Sequence, residues 1–135
     1  MTGTVLAIDP GQASGFALFQ DATLVNCGVI YSDAALEALI FSLPRDAIVV
    51  CEDFTIRIAT DAKAVLMLMG VLRYLCNVRL ATPIVWQTNQ SRRAFLSNAR
   101  ELLHDYDPTY PWQSHHYDAV SHALRYLYGH KARAS

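Results

Sequence analysis

Residues 4–19, TVLAIDPGQASGFALF, constrain the fold more than any other stretch of the chain. The run at 5–8 is continuously apolar, as expected of a strand buried on both faces. Asp9 stands at its end, followed at once by Pro10 and Gly11, then by Gly15 and a second apolar run at 16–19. The order is strand, acid, tight loop, strand. A carboxylate at the mouth of a core strand is poorly solvated unless something positive meets it. A metal ion or a nest of backbone N–H groups would serve. The metal reading is the leading one, and it requires further ligands elsewhere in the chain.

The opening pattern recurs. DAIVVC at 46–51 reads as a second short buried strand, and it ends in Glu52-Asp53. Parallel strands fed by helices bring their C-terminal ends to one edge, where sites form. Asp9 and Glu52 are neighbours if their strands are adjacent. Between them, 15–20 and 23–31 read as a hairpin turning at Asp21-Ala22, with Gly28 marking a bulge or close packing. Ser32 is an N-cap candidate for a helix over 34–43 that Pro44 stops. The spacing predicts a long helix over 61–77, a last strand over 83–86 followed by polar, turn-like residues 87–90, a helix over 92–104, and a final helix from 113 or 114 to 128, before Gly129. A hairpin meander followed by alternating helices and strands gives an α/β fold, a mixed sheet with helices on its faces.

The helix at 61–77 is apolar nearly all round, with only Lys63, Gly70 and Arg73 interrupting its body. Such a helix is covered on both sides. One side faces the sheet. The other is expected to meet a second copy of the chain or, failing that, the final helix of the same chain. Gly70 suits a close helix crossing in either arrangement.

A length of 135 residues fits one domain with a substantial core, and 53% of the residues are apolar. No run approaches a membrane span and the N-terminus lacks a signal-like core, so the expected setting is soluble and cytoplasmic. Cys27, Cys51 and Cys76 are scattered, odd in number and without zinc spacing, and read as free thiols of a reducing compartment. The formal net charge is −1, not the basic balance of a strong nucleic-acid binder. The cations are unevenly placed, however: ten of the eleven lie at or after Arg57, and only Arg45 precedes them. The second half can therefore carry a basic face. Arg92 and Arg93 open a helix, the wrong end for its dipole; they suit either a phosphate or a solvated surface pair.

The final helix, SHHYDAVSHALRYLYG, repeats His115, Asp118 and His122 at intervals of three and four residues, which puts them on one face. Small alanines beside Asp118 permit close approach to a sheet edge. Asp118 then joins Asp9 and Glu52. Three carboxylates in one site repel unless a cation holds them. Oxygen ligands of this type suit Mg²⁺ or Mn²⁺, and a two-metal site of this kind hydrolyses phosphodiesters. His115 is a candidate nitrogen ligand or general acid–base. His116 lies off this face and is expected at the surface. His122 fits either a partner of Asp118 or a packed helix residue.

These motifs resemble those of the RuvC family of Holliday-junction resolvases, within the ribonuclease H-like superfamily. AIDPGQASGFALF resembles the family's first motif, with Asp9 on its catalytic acid and Gly11 and Gly15 on its glycines. IVVCEDF resembles the second, with Glu52 on the catalytic Glu. HHYDAVSHAL resembles the last, with His115 and Asp118 on the helix-borne pair. The resemblance spans roughly residues 5–128 and implies a ribonuclease H-like mixed five-stranded sheet with helices on both faces, forming one nuclease domain over 1–135. It implies a homodimer through the 61–77 helix that nicks branched DNA symmetrically with Mg²⁺ or Mn²⁺, held by Asp9, Glu52, Asp118 and His115. Phe54 falls where the family can place an aromatic that stacks on a junction base, a core Phe being the alternative. Arg57, Lys63, Arg92 and Arg93 are the candidate phosphate contacts. The chain is shorter than cellular members and resembles compact viral versions.

Other readings compete. A nuclease of the same fold acting on flaps or RNA–DNA hybrid shares every motif. A non-catalytic nucleic-acid-binding module has no reason to keep three acids leaning inward. An actin-like ATPase shares the first loop but needs a second such domain.

Overall fold

The computed structural model describes residues 3–11, 14–52, 59–87 and 95–134. Among the described residues, five strands and four helices follow in the order β1 (Thr4–Asp9), β2 (Ser14–Gln20), β3 (Thr23–Ile30), α1 (Asp33–Phe41), β4 (Ile48–Glu52), α2 (Ala59–Arg79), β5 (Val85–Gln87), α3 (Leu96–Tyr106) and α4 (Ser114–Ala134). They build one mixed sheet ordered β3-β2-β1-β4-β5. The first three strands form the expected antiparallel meander, and β4 and β5 add to β1 in parallel. This is an α/β fold of the ribonuclease H-like type.

Local chemistry explains the meander. Ser14 closes the loop after Asp9: the Gly11 N–H donates to its Oγ at 3.3 Å, and the hydroxyl donates back to the Gly11 carbonyl at 3.2 Å. Asp21 and Ala22 both take positive φ, 49° and 67°. That is the twist a two-residue hairpin turn needs between right-twisted strands. Gly28 allows close packing, since a Cβ there would meet the Phe16 ring at 3.0 Å. The bulge lies elsewhere, between Leu18 and Phe19. Ser32 caps α1 as expected, its Oγ accepting from the Ala35 N–H at 3.1 Å.

Strand periodicity splits the core in two. Leu6, Ile8, Val49 and Cys51 point to the layer of α1 and α2, among Leu36, Ile40, Leu72, Leu75 and Cys76. Val5, Ala7, Ala17, Phe19 and Val50 point to the opposite layer, among Ala99, Leu103, Ala119, Val120, Ala123 and Leu124 of α3 and α4. The final helix therefore does not cover α2; it belongs to the other face of the sheet. The outer side of α2 is open: Met67, Tyr74 and Val78 are 61%, 66% and 59% exposed, and Leu66 is 45% exposed.

The helix boundaries shift from the sequence expectation in two places. α4 continues past Gly129 to Ala134. The Arg125 side chain lies across the bare Cα of Gly129, where a Cβ would meet its Cδ at 3.1 Å. Here glycine makes room for a side chain from the preceding turn rather than ending the helix. α3 begins at Leu96, and Arg92 and Arg93 lie outside the described residues. All three cysteines are free, and burial pushes the Cys27 thiol up to about 12 and that of Cys76 up to about 11. No helix among the described residues is long and apolar enough to cross a membrane.

Candidate metal centre

The alternation that sorts the core also aims the acids. Asp9 continues the phase of Val5 and Ala7, and Glu52 that of Val50, so both carboxylates project toward α4. The parallel register pairs Ile8 with Cys51, which sets Asp9 beside Glu52 at the ends of adjacent strands. Across the other side of β1, Asp9 pairs with Gly15; across β4, Glu52 pairs with Gln87. Gly15, Asp9, Glu52 and Gln87 thus form one lateral row, from β2 through β1 and β4 to β5.

α4 packs over this row. Its first turn sits on Gly15, where a Cβ would lie 2.7 Å from the His115 carbonyl carbon and nearer still to its oxygen. Two turns on, the helix delivers His122 to the other end of the row. His122 is wholly buried, with Nε2 3.9 Å from Glu52 Oε1 and Nδ1 3.1 Å from Gln87 Oε1. Ligand atoms of Asp9, Glu52 and His122 all lie within 4.8 Å of one another. Asp9 and Glu52 are themselves only 9% and 7% exposed.

This donor set fits a divalent cation. Two carboxylates sharing a largely buried edge are costly without a positive charge between them. His122 Nε2 has no hydrogen-bond partner among the described residues, although it is fully buried. A buried ring nitrogen left unpaired beside two carboxylates is the arrangement a metal completes. The chemistry of the set, two carboxylates and one imidazole, suits a divalent cation.

Asp9 and Glu52 converge as expected, and His122 joins them as a first contact rather than as a packed residue. Asp118 is half-buried on α4, on the same helix face between the turn seated on Gly15 and the turn bearing His122. His115, also half-buried, has a buried Nε2 without a hydrogen-bond partner among the described residues. Lys63 is exposed on α2. Phe54, Arg57, Arg92 and Arg93 lie outside the described residues. His116 is a correction: it is 3% exposed rather than at the surface. Its Nδ1 accepts from the Gln113 N–H at 3.1 Å, and its ring stands edge-on to Trp112 at 5.0 Å. Burial, and then the neighbouring His115, push its pKa down to about 4.

Gln87 was missed by sequence reading, which put it in a polar turn. The available signal was period two: Val85 packs inward, so residue 87 falls on the same face, at the end of a third parallel strand.

The class defined by this sheet order and its two helix layers is the ribonuclease H-like α/β fold. Among solved structures, the fold matches that of Thermus thermophilus RuvC. One such structure, of RuvC in complex with a Holliday junction substrate, aligns with a TM-score of 0.71 at 17% identity, covering 96% of each chain. Another, a Thermus thermophilus RuvC structure, aligns with a TM-score of 0.67 at 17% identity and the same coverage. At that identity the likeness establishes the fold. No protein-family model and no curated protein sequence matches the chain.

Proposed function

We propose that this chain is a metal-dependent endonuclease of the RuvC type that resolves four-way DNA junctions by paired nicks, acting as a homodimer. The observation that carries the reading is the convergence of Asp9, Glu52 and His122 within 4.8 Å at the C-terminal ends of parallel strands. Asp9, Glu52 and His122 hold the ion, with Asp118 and His115 as further ligands or proton-handling groups. A bound divalent ion supplies the charge that lets the acids sit together and the Lewis acidity that activates water toward a phosphodiester. The protein's own part is positional. The strand row fixes the carboxylates, Gly15 lets the α4 backbone close down beside Asp9, and His115 Nε2 is available to move a proton near the attacked phosphate. Support for Asp118 comes from its helix face, shared with His115 and His122.

The dimer reading rests on the outer side of α2. Leu66, Gly70, Tyr74 and Val78 recur every four residues and lie on one stripe, with Met67 beside it. Nothing lies within 4 Å of a Cβ built on Gly70, so a second helix has room to approach there. Two symmetric nicks need two sites related by a two-fold axis, which a self-complementary α2 contact supplies. The chain is weakly acidic overall, with a sequence pI near 6.5. Junction binding therefore relies on the cations beyond Arg45, Lys63 on α2 and Arg57, Arg92 and Arg93 among them.

The test is cleavage of a synthetic four-way junction with Mg²⁺ or Mn²⁺, compared with flaps, RNA–DNA hybrid and linear duplex. Paired nicks in the junction, abolished in Asp9→Asn, Glu52→Gln and Asp118→Asn while DNA binding survives, are expected. Full cleavage by the Asp9 or Glu52 variant would remove the metal centre from the mechanism. Preference for flaps or hybrid over the junction would transfer the site to a different nucleic-acid substrate.

A further inference from the structure

We propose that Gln87 is a positioning residue that fixes which nitrogen of His122 faces the carboxylates. The inference rests on the metal-centre reading and deepens it. Gln87 ends β5 directly across from Glu52, and its Oε1 lies 3.1 Å from His122 Nδ1. An amide oxygen only accepts, so the proton of that contact belongs to Nδ1. A neutral imidazole carries one proton. With Nδ1 holding it, Nε2 presents its lone pair, and that nitrogen points at Glu52 Oε1 from 3.9 Å. His122 is fully buried, so water cannot substitute freely for either contact. Remove the Gln87 acceptor and the balance reverses: the proton moves to Nε2, where Glu52 accepts it. The lone pair then sits on Nδ1, turned away from the acids. A ligand histidine usually needs such a partner on its far nitrogen, and losing the partner typically weakens metal binding by about 10- to 100-fold.

The row on the sheet makes the device economical. One residue per parallel strand supplies an acid, an acid and an acceptor, and a single helix side chain spans the last two. The nitrogen is thereby committed to the ion before it arrives.

The test uses the full chain and Mn²⁺ alone. Mn²⁺ affinity is read by electron paramagnetic resonance for wild type, Gln87→Met and Gln87→Glu, and the His122 tautomer by ¹⁵N imidazole correlation spectra of the metal-free protein. Wild type is expected to hold the proton on Nδ1. Gln87→Met is expected to lose about 10- to 100-fold in Mn²⁺ affinity and to move the His122 proton to Nε2. Gln87→Glu keeps an acceptor oxygen at the same reach and is expected to bind Mn²⁺ at least as well as wild type. Unchanged affinity and tautomer in folded Gln87→Met would overturn the role of Gln87 while leaving the metal centre intact. Should Gln87→Met fail to fold, a wild-type spectrum with Nε2–H and a bare Nδ1 overturns it equally. Absence of Mn²⁺ binding by wild type, or Mn²⁺ binding unchanged in Asp9→Asn, would instead sink the metal centre itself.

Discussion

Gly15→Ala should damage both stability and the site, because its missing side chain is where α4 rests. A Cβ there would stand 2.7 Å from the His115 carbonyl carbon, against an ordinary contact of 3.4–4 Å. The obstacle is backbone, so no rotamer change relieves it. The first turn of α4 must retreat by roughly 0.7 Å or more, or β2 must bow away from it. Over-packing of this kind costs about 1–3 kcal/mol. The same turn carries His115, and Asp118 follows one turn later, so the displacement reaches the groups around Asp9. A misplacement of about 1 Å can cost on the order of 100-fold in rate. Equilibrium urea unfolding gives the first quantity, and single-turnover junction cleavage with Mn²⁺ the second. If Gly15→Ala keeps wild-type stability within about 0.5 kcal/mol and cleaves at full rate, α4 is not seated on Gly15, and the account of how the row is covered fails.

Three further outcomes follow from other parts of the fold. The folded state holds His116 at about 4 against an unfolded value of 6.5. The unfolded chain therefore takes up a proton that the folded chain refuses as pH drops from 6.5 toward 4. The stability contributed by neutral His116 is complete above pH 6.5 and falls by about 2 kcal/mol by pH 5. Urea titrations of wild type and His116→Phe should diverge in slope over that interval, and parallel slopes would contradict the burial argument. On α2, Gly70→Ala should raise monomer stability by about 0.4–1 kcal/mol. Tyr74→Glu with Val78→Lys should convert a dimer, measured by light scattering, to monomer without unfolding it. A wild type that stays monomeric at high micromolar concentration would remove the paired-nick mechanism.

Much of this architecture was legible because strand ends and helix faces obey fixed periods. Asp9 and Glu52 each terminate an apolar strand, and the period-two phase of Val5, Ala7 and Val50 points both toward one layer. The 3.6-residue period placed His115, Asp118 and His122 on one face of α4. What period alone could not decide was depth. His122 lies on that face and closes the carboxylate pair, while His116, off it and expected at the surface, packs beneath Trp112 instead. Their difference arises from where α4 crosses the sheet, a tertiary fact. The apolar girth of α2 implied a second covering, and the layer assigned to α4 excludes that helix as the cover. Gly129 was read as a stop, a role glycine often plays at helix ends, whereas here Arg125 needs the space. Gln87 was missed because the last strand was expected to end at Trp86; β5 runs one residue further, and the meaning of Gln87 appears only once Glu52 is known to lie across from it.

The lateral row also sets an order of assembly. Its strand residues are all in place once β5 has paired, but the imidazole that meets them arrives only with α4, which follows every strand of the sheet. A polypeptide lacking that helix carries two crowded acids without the imidazole of His122 beside them. Such a fragment holds the carboxylate pair without the imidazole that meets it, so completion of the cluster is coupled to docking of α4.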